Sequence, residues 1–332
     1  AVLIDGIPMG AGDWGGLIAS PGADAVQDVQ VVRNTYDTEF GRTGGGVVNI
    51  TTRGGGPNYH GGIFEFLRND NLDDNTFFNN RAGKPLTEYK RNQFGGTFGG
   101  PVWKAKRIFG FFGYEGLRTG APASRQATVP TELQRRGDFS KSLNSDGTLA
   151  VIYDPLTTVL NPSTGKYVRS PFPRNVIPVN RFDPVAVNVL NLFPTANQPG
   201  DPRTSASNWY GTGASSTIDN RYDARIDWTR TDRHTMFARF TIARQNDDPA
   251  ILFSTPAETS YYARNPREQL SWGNTFIVSP TFVVNVQVGG GRWAERNFSP
   301  AQGYAATKLG FSPALTSRFD VNAPPTFSIS DY

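Results

Sequence analysis

The chain of 332 residues carries 33 Lys and Arg against 29 Asp and Glu, a net charge of +4, with 36 Gly, 24 Pro, 6 Trp, 12 Tyr, 23 Phe and no Cys. Turn formers and rings in this excess speak against a helical bundle, and the lack of Cys excludes a disulfide framework or a thiolate metal site. The small, scattered positive charge gives no footprint for nucleic acid, and no apolar run reaches the roughly 18 residues of a membrane helix, which leaves a membrane β-barrel open.

Residues 1–60 read as a small α/β unit. Val2-Leu3-Ile4-Asp5-Gly6 is a short strand entering a Gly-Ile-Pro turn, Asp24 to Gln27 one helical turn, and Val29 to Arg33 a second strand. A Gly-rich corner at Gly41 and Gly44 to Gly46 precedes a third strand, Val47 to Thr52, and Arg53-Gly54-Gly55-Gly56-Pro57 breaks the pattern. The opening Ala1-Val2-Leu3 has neither initiator Met nor basic leader, and Ser330-Asp331-Tyr332 ends in polar sequence, so the chain reads as a fragment at both ends.

Seven strands are predicted next: Gly62–Arg68, Asn92–Val102, Arg107–Arg118, Asn220–Arg230, Thr235–Gln245, Arg267–Ser279 and Thr281–Glu295. In the fourth, Tyr222, Ala224, Ile226 and Trp228 alternate with Arg221, Asp223, Arg225 and Asp227; in the sixth, Leu270, Trp272, Phe276 and Val278 alternate with Gln269, Ser271, Gly273 and Thr275. A period of two with one apolar and one polar face is a half-buried antiparallel sheet. The connections alternate long and short throughout, the longest running from Thr119 to Asp219 with one short helix, Val185–Phe193, capped by Asp183. Outer-membrane barrels carry short turns on one rim and long loops on the other.

Alternation alone leaves two readings: a soluble sheet with a dry core, or a lipid-facing sheet with a wet interior. In the second, Arg221 and Arg225 must face inward beside Asp223 and Asp227, because a lipid-facing Arg costs about 2–4 kcal/mol at mid-bilayer. Seven strands do not close such a barrel, since open edges in hydrocarbon leave peptide groups unpaired; further strands are then expected outside this sequence.

Val2-Leu3-Ile4-Asp5-Gly6-Ile7-Pro8, then Ala25 to Arg33, Phe40-Gly41-Arg42 and Gly44-Gly45-Gly46-Val47-Val48-Asn49-Ile50-Thr51-Thr52-Arg53 resemble the second half of a TonB-dependent receptor plug. His60 to Asp70, Arg91 to Gly96, Phe111 to Arg118, Gly137-Asp138-Phe139-Ser140 and Asn175 to Ala186 are similar to the Oar-like receptors with a carboxypeptidase-regulatory-like domain. The resemblance implies a mainly β fold: a plug remnant over 1–60, then over 61–332 an incomplete antiparallel transmembrane barrel of about seven of 22 strands, with a long extracellular loop at 119–219. It further implies plug-motif residues Asp5, Gly6, Pro8, Arg33, Gly41, Arg42, Gly45, Gly46 and Asn49, of which Arg33 would meet wall carboxylates. The partners implied are outer-membrane lipid, a TonB-type energising protein whose contact segment is not in this stretch, and an extracellular ligand of unspecified kind; no cofactor, metal or nucleic acid is expected.

Other motifs read blandly. Gly41–Gly46 and Gly54–Gly56 lack the order of a phosphate loop, Asn69–Asn75 lacks the spacing of a calcium loop, and Arg136-Gly137-Asp138 is a chance adhesion tripeptide. Trp209, Tyr210, Tyr261 and Tyr262 are candidates for ligand contact, set against loop packing or an interfacial girdle. The function expected is energised uptake of a scarce or bulky ligand through a plugged barrel, with no enzymatic chemistry; the alternative is a secreted or surface β-rich binding or adhesion protein of carbohydrate-binding type.

Overall fold

The structure, a computed structural model, describes residues 1–10, 16–33, 46–81, 83, 85–86, 88–253 and 255–326. Among the described residues no helix is long and apolar enough to cross a membrane. The chain divides into two compact units, one of Ala1–Ala121, Ser215–Asp248 and Tyr262–Asn297, the other of Pro122–Ala214, Pro249–Tyr261 and Phe298–Tyr332.

The first unit begins with β1 (Val2–Ile4), β2 (Ile7–Pro8), β3 (Val26–Val32) and β4 (Val47–Thr52), which form a sheet in the order β2-β1-β4-β3. β1 and β4 are parallel, with Val2 beside Val48 and Ile4 beside Ile50; the other pairs are antiparallel. Ile4, Ile7 and Met9 are its buried apolar centre, with Leu17, Ile50 and Phe237 against them.

The larger sheet is built from β5 (His60–Asn69), β6 (Lys90–Trp103), β7 (Ile108–Ala127), β8 (Trp209–Thr231), β9 (His234–Asp248), β10 (Tyr262–Ser279) and β11 (Phe282–Trp293). They follow one another as antiparallel neighbours, and a short eighth strand, Arg296–Phe298, pairs with β10. Among the described residues the edges β5 and β11 do not pair, so the sheet is an unclosed barrel wall. Among the described residues the small sheet shares no strand pair with it.

All seven predicted wall strands are present, but several run further than the alternation indicated. β7 continues to Ala127 and β8 starts at Trp209, so the longest connection is 128–208 and not 119–219. The added residues, such as Gly211-Thr212-Gly213-Ala214-Ser215-Ser216, are small on both faces, although their burial still alternates between half-buried and exposed. Sequence alternation is visible only where the two faces take residues of different character, and Gly, Ala, Ser and Thr suit either face.

Within the wall the usual distribution of burial is inverted. Ile226 is 53% exposed, Leu270 57% and Val288 61%, and Phe98, Phe112, Phe240, Trp272 and Phe276 are exposed on the same side. On the opposite side Arg239 is 2% exposed and Thr241 and Ser271 are fully covered, with Asp223 and Gln269 buried beside them. In water such a sheet would expose its driving force and bury its cost; against acyl chains it does neither.

The second unit has its own core of Val129, Val189, Leu192, Trp209, Phe253 and Leu309. Its predicted helix is α1 (Pro184–Leu190), with the Asp183 carboxylate accepting from Val185 N at 2.7 Å and Ala186 N at 3.1 Å. The Arg135 guanidinium donates to Leu190 O at 3.0 Å, Phe193 O at 3.0 Å and Pro194 O at 2.7 Å, satisfying carbonyls that a helix end leaves orphaned. Buried Asn208 accepts from Val129 N at 2.8 Å and donates to Val129 O at 2.7 Å, so this long connection is a folded body with a packed interior.

Candidate functional site

The buried polar face of the wall and the small sheet meet in one ionic cluster. Asp5 follows β1 with φ 51°, a left-handed conformation that Asp tolerates, and Gly6 comes next at φ 79°. The Gly6 N–H donates to the Asn49 carboxamide oxygen at 3.0 Å, so the parallel β1–β4 pairing brings Asp5, Gly6 and Asn49 together. This turn aims the Asp5 carboxylate at the wall. It accepts from Thr52 N at 2.9 Å and Thr52 Oγ1 at 2.8 Å, and pairs with Arg225 Nη1 at 2.9 Å and Arg239 Nε at 3.1 Å.

The network continues inward along adjacent strands. Arg239 donates to Thr241 Oγ1 at 2.8 Å and Ser271 Oγ at 2.9 Å, and Thr241 donates to Asp223 at 2.6 Å. The other Asp223 oxygen accepts from Gly22 N at 2.9 Å, while Glu115 on β7 accepts from Ala23 N at 2.9 Å and from Gln93 Nε2 at 3.0 Å. Arg225 also pairs with Asp227 at 2.9 Å and lies 4.5 Å from the Phe237 ring centroid. Two carboxylates of the wall thus hold backbone N–H groups of the small unit, and two of its guanidiniums hold that unit's carboxylate.

Gly54 and Gly55 sit where the chain leaves β4 against the wall. A Cβ on Gly55 would lie 2.5 Å from Gly110 N, and one on Gly54 would lie 2.6 Å from Asp227 Oδ2. These glycines serve close backbone approach.

The four inward candidates of β8 are therefore on the polar side: Asp223 and Arg225 join the cluster, Asp227 pairs with Arg225, and Arg221 pairs with Asp219 at 2.9 Å. Of the plug-motif candidates, Pro8 lies in β2 opposite Leu3, and Gly46 adopts φ 117°, with a Cβ there 2.6 Å from Val32 O. Arg33 is exposed and makes no ion pair among the described residues, so the link expected from it to wall carboxylates is not seen; the charges run the other way, from Asp5 to wall arginines. Gly41, Arg42 and Gly45 lie outside the described residues.

Trp209, a candidate for ligand contact, is withdrawn into the core of the second unit with Phe253 edge-on at 4.6 Å. Tyr210 and Tyr261 are exposed, and Tyr262 is half-buried with the Arg264 guanidinium 5.6 Å above its ring. The sequence reasoning missed Arg239, Thr52 and Glu115. Arg239 and Thr241 occupy polar alternate positions of β9, a weaker signal than that of β8 because Phe237 and Ala243 share their face, whereas nothing local marks Thr52 or Glu115. In the second unit, burial pushes the Glu258 carboxyl up, but N–H donors from Ser260, Phe253 and Leu252 outweigh it and hold it below its ordinary value.

Chemically, the cluster is a polar fastening: reversible hydrogen bonds and ion pairs between two bodies, with no nucleophile–base pair and no group of metal ligands among the described residues. The family model described as outer membrane beta barrel domain matches residues 51–332. The TonB-dependent transporter Oar of Myxococcus xanthus is 36% identical over 99 residues, 28% of this chain and 9% of that protein. The outer membrane transporter YddB from Escherichia coli aligns at a TM-score of 0.52 and 11% identity, covering 91% of this chain and 32% of its own length. The siderophore receptor PirA from Acinetobacter baumannii aligns at 0.44 and 14%, covering 99% of this chain and 35% of its own.

Proposed function

The chain belongs to the outer membrane beta-barrel domain family, and on that premise we propose that it is part of a TonB-dependent receptor that takes up a scarce or bulky ligand across the bacterial outer membrane. In this reading residues 1–60 are the second half of a plug, 61–332 the first part of the barrel, and the second compact unit an extracellular capture element. An energising protein acts through a plug segment outside this stretch, and no covalent step is involved. The ligand enters when pulling on the plug breaks the Asp5 cluster.

The observation that carries the reading is the fastening itself. A static filling would be held most cheaply by apolar packing, because burying charge costs several kcal/mol per ion before pairing returns it. Here, beside the apolar contact of Phe237 with Ile4, Ile7 and Met9, the small sheet is held by Asp5, Arg225, Arg239, Asp223 and Glu115, groups that can exchange protein partners for water as the interior floods. The secreted-module alternative is disfavoured by the exposed Ile226, Leu270 and Val288 stripe, which water does not tolerate over a whole sheet face.

The test uses the full-length gene product in outer membranes of intact cells. Ala25, buried in the small unit and in a stretch free of Cys, is replaced by Cys and challenged with a membrane-impermeant maleimide. Labelling that rises in energised cells and falls when a protonophore is added supports the reading. Labelling indifferent to the proton gradient overturns it.

A further inference from the structure

We propose that the outward face of β5–β7 binds a phosphate-bearing, acylated lipid, one hydrocarbon chain lying in a groove of the sheet and the phosphate resting on Arg118. The inference goes beyond uptake and needs only the lipid-facing assignment of the wall.

The groove measures about 560 Å³ and lies among Ile63, Phe94, Gly96, Phe98, Phe112 and Tyr114. Register explains it. Gly96 sits opposite Ile63 on one side and Tyr114 on the other, so a position without a side chain is flanked by large ones on the same face. Two residues along the strand, Phe98 faces Phe112; two in the other direction, Phe94 faces Gly116, and its ring occupies the space a Cβ there would need. The result is a trough with an apolar floor and aromatic walls, set in a face that meets acyl chains.

Polarity begins at the end of the groove nearer the long connections, the extracellular end of such a barrel. Arg118 is opposite Asn92, and exposed Lys90 is opposite Gly120 on the same face. The Arg118 guanidinium lies 5.6 Å from the Phe94 ring centroid. It donates to Leu117 O at 2.9 Å, Asp219 O at 3.1 Å and Asn220 Oδ1 at 2.8 Å, all neutral acceptors. At the matching level of β9 and β10 the outward cations are neutralised, Arg244 by Glu268 and Arg264 by Asp248. Among the described residues Arg118 pairs with no carboxylate, donates to three acceptors, and stands over Phe94 at the end of the groove. An uncompensated guanidinium at the end of an open apolar trough is complementary to a phosphate with a hydrocarbon chain beneath it.

The experiment is native mass spectrometry of the full-length protein in non-ionic detergent, titrated with dimyristoyl phosphatidic acid, with dimyristoylglycerol, which has the same chains and no phosphate, and with inorganic phosphate. The phosphatidic acid should be retained at roughly tenfold lower concentration than the glycerol lipid. Arg118→Gln should abolish that preference and Arg118→Lys should keep most of it, both variants retaining the heat-modifiable gel shift of a folded barrel. Equal retention of the two lipids by the unaltered protein, or an undiminished preference in folded Arg118→Gln, overturns the proposal. So does displacement of the phosphatidic acid by inorganic phosphate, which would show an anion site without a chain groove, or dimerisation that excludes both lipids.

Discussion

Asp5 and Arg225 are 220 residues apart in sequence and 2.9 Å apart in space, joining the turn after β1 to the polar face of β8. Arg239 approaches the second oxygen of the same carboxylate from β9, so one side chain of the small sheet ties two neighbouring strands of the wall.

Removing Asp5 should therefore loosen the join more than removing either arginine. Truncating one partner of a buried pair costs about 3–5 kcal/mol, because the remaining charge stays buried and unmatched. Asp5→Ala in the full-length protein should sensitise cells to a bulky hydrophilic antibiotic that does not otherwise cross the outer membrane; Arg225→Gln should do so less, since Arg239 still holds the carboxylate. Antibiotic sensitivity equal to that of the unaltered protein would count against the join as a barrier.

The outward face of β8 gives an asymmetric test on adjacent residues. Ile226→Arg puts a charge toward lipid and should cost about 2–4 kcal/mol, read as a lower urea midpoint for loss of the heat-modifiable band. Asp227→Asn, one residue on but facing inward beside Arg225, should shift that midpoint by much less.

Gly55→Ala should open the junction after β4. Its Cβ would meet Gly110 backbone at 2.5 Å, and backbone does not step aside as a flexible side chain does. Limited proteolysis should then cut at 53–57 at protease concentrations that leave the unaltered protein intact, while Gly56→Ala, whose Cβ would make only ordinary contacts with His60 at 3.8 Å and Asn58 O at 4.0 Å, should leave the pattern unchanged.

Acid should weaken the second unit through Glu258. Burial raises its carboxyl, but the N–H groups of Ser260, Phe253 and Leu252 lower it further than burial raises it, so the folded value is below the unfolded one. Such a group adds stability that is fully present above the unfolded carboxylate range, about 4.3, and is lost as the pH falls through the lower folded value. Trp209, packed on Phe253, reports this: the part of the fluorescence that Trp209→Phe removes should change on acidification, and Glu258→Gln should flatten the change.

How far the sequence could be read depended on whether a residue's neighbours in the chain share its surroundings. Tyr222 to Trp228 alternate because every other residue meets lipid and the rest meet the polar interior, so strand, face and charge placement were visible together. Asp5 was visible only through its motif, and its partners were not, because a pairing over 220 residues leaves no local trace. Arg239 was there to be found by extending to β9 the alternation applied to β8. The ends of β7 and β8 were hidden because Gly, Ser and Thr above the apolar band report neither face. Trp209 misled for the opposite reason: a ring beside a long connection looks available until that connection folds its own interior around it.

The inverted burial of the wall also bears on how the polypeptide reaches its destination. Folded in an aqueous compartment, this sheet would present Ile226, Leu270, Trp272 and Val288 to water and to one another, and copies would coalesce through them faster than they could find a bilayer. Strand pairing in water is therefore the step to postpone, since the oily stripe is harmless only once the hairpins close where a bilayer can take it.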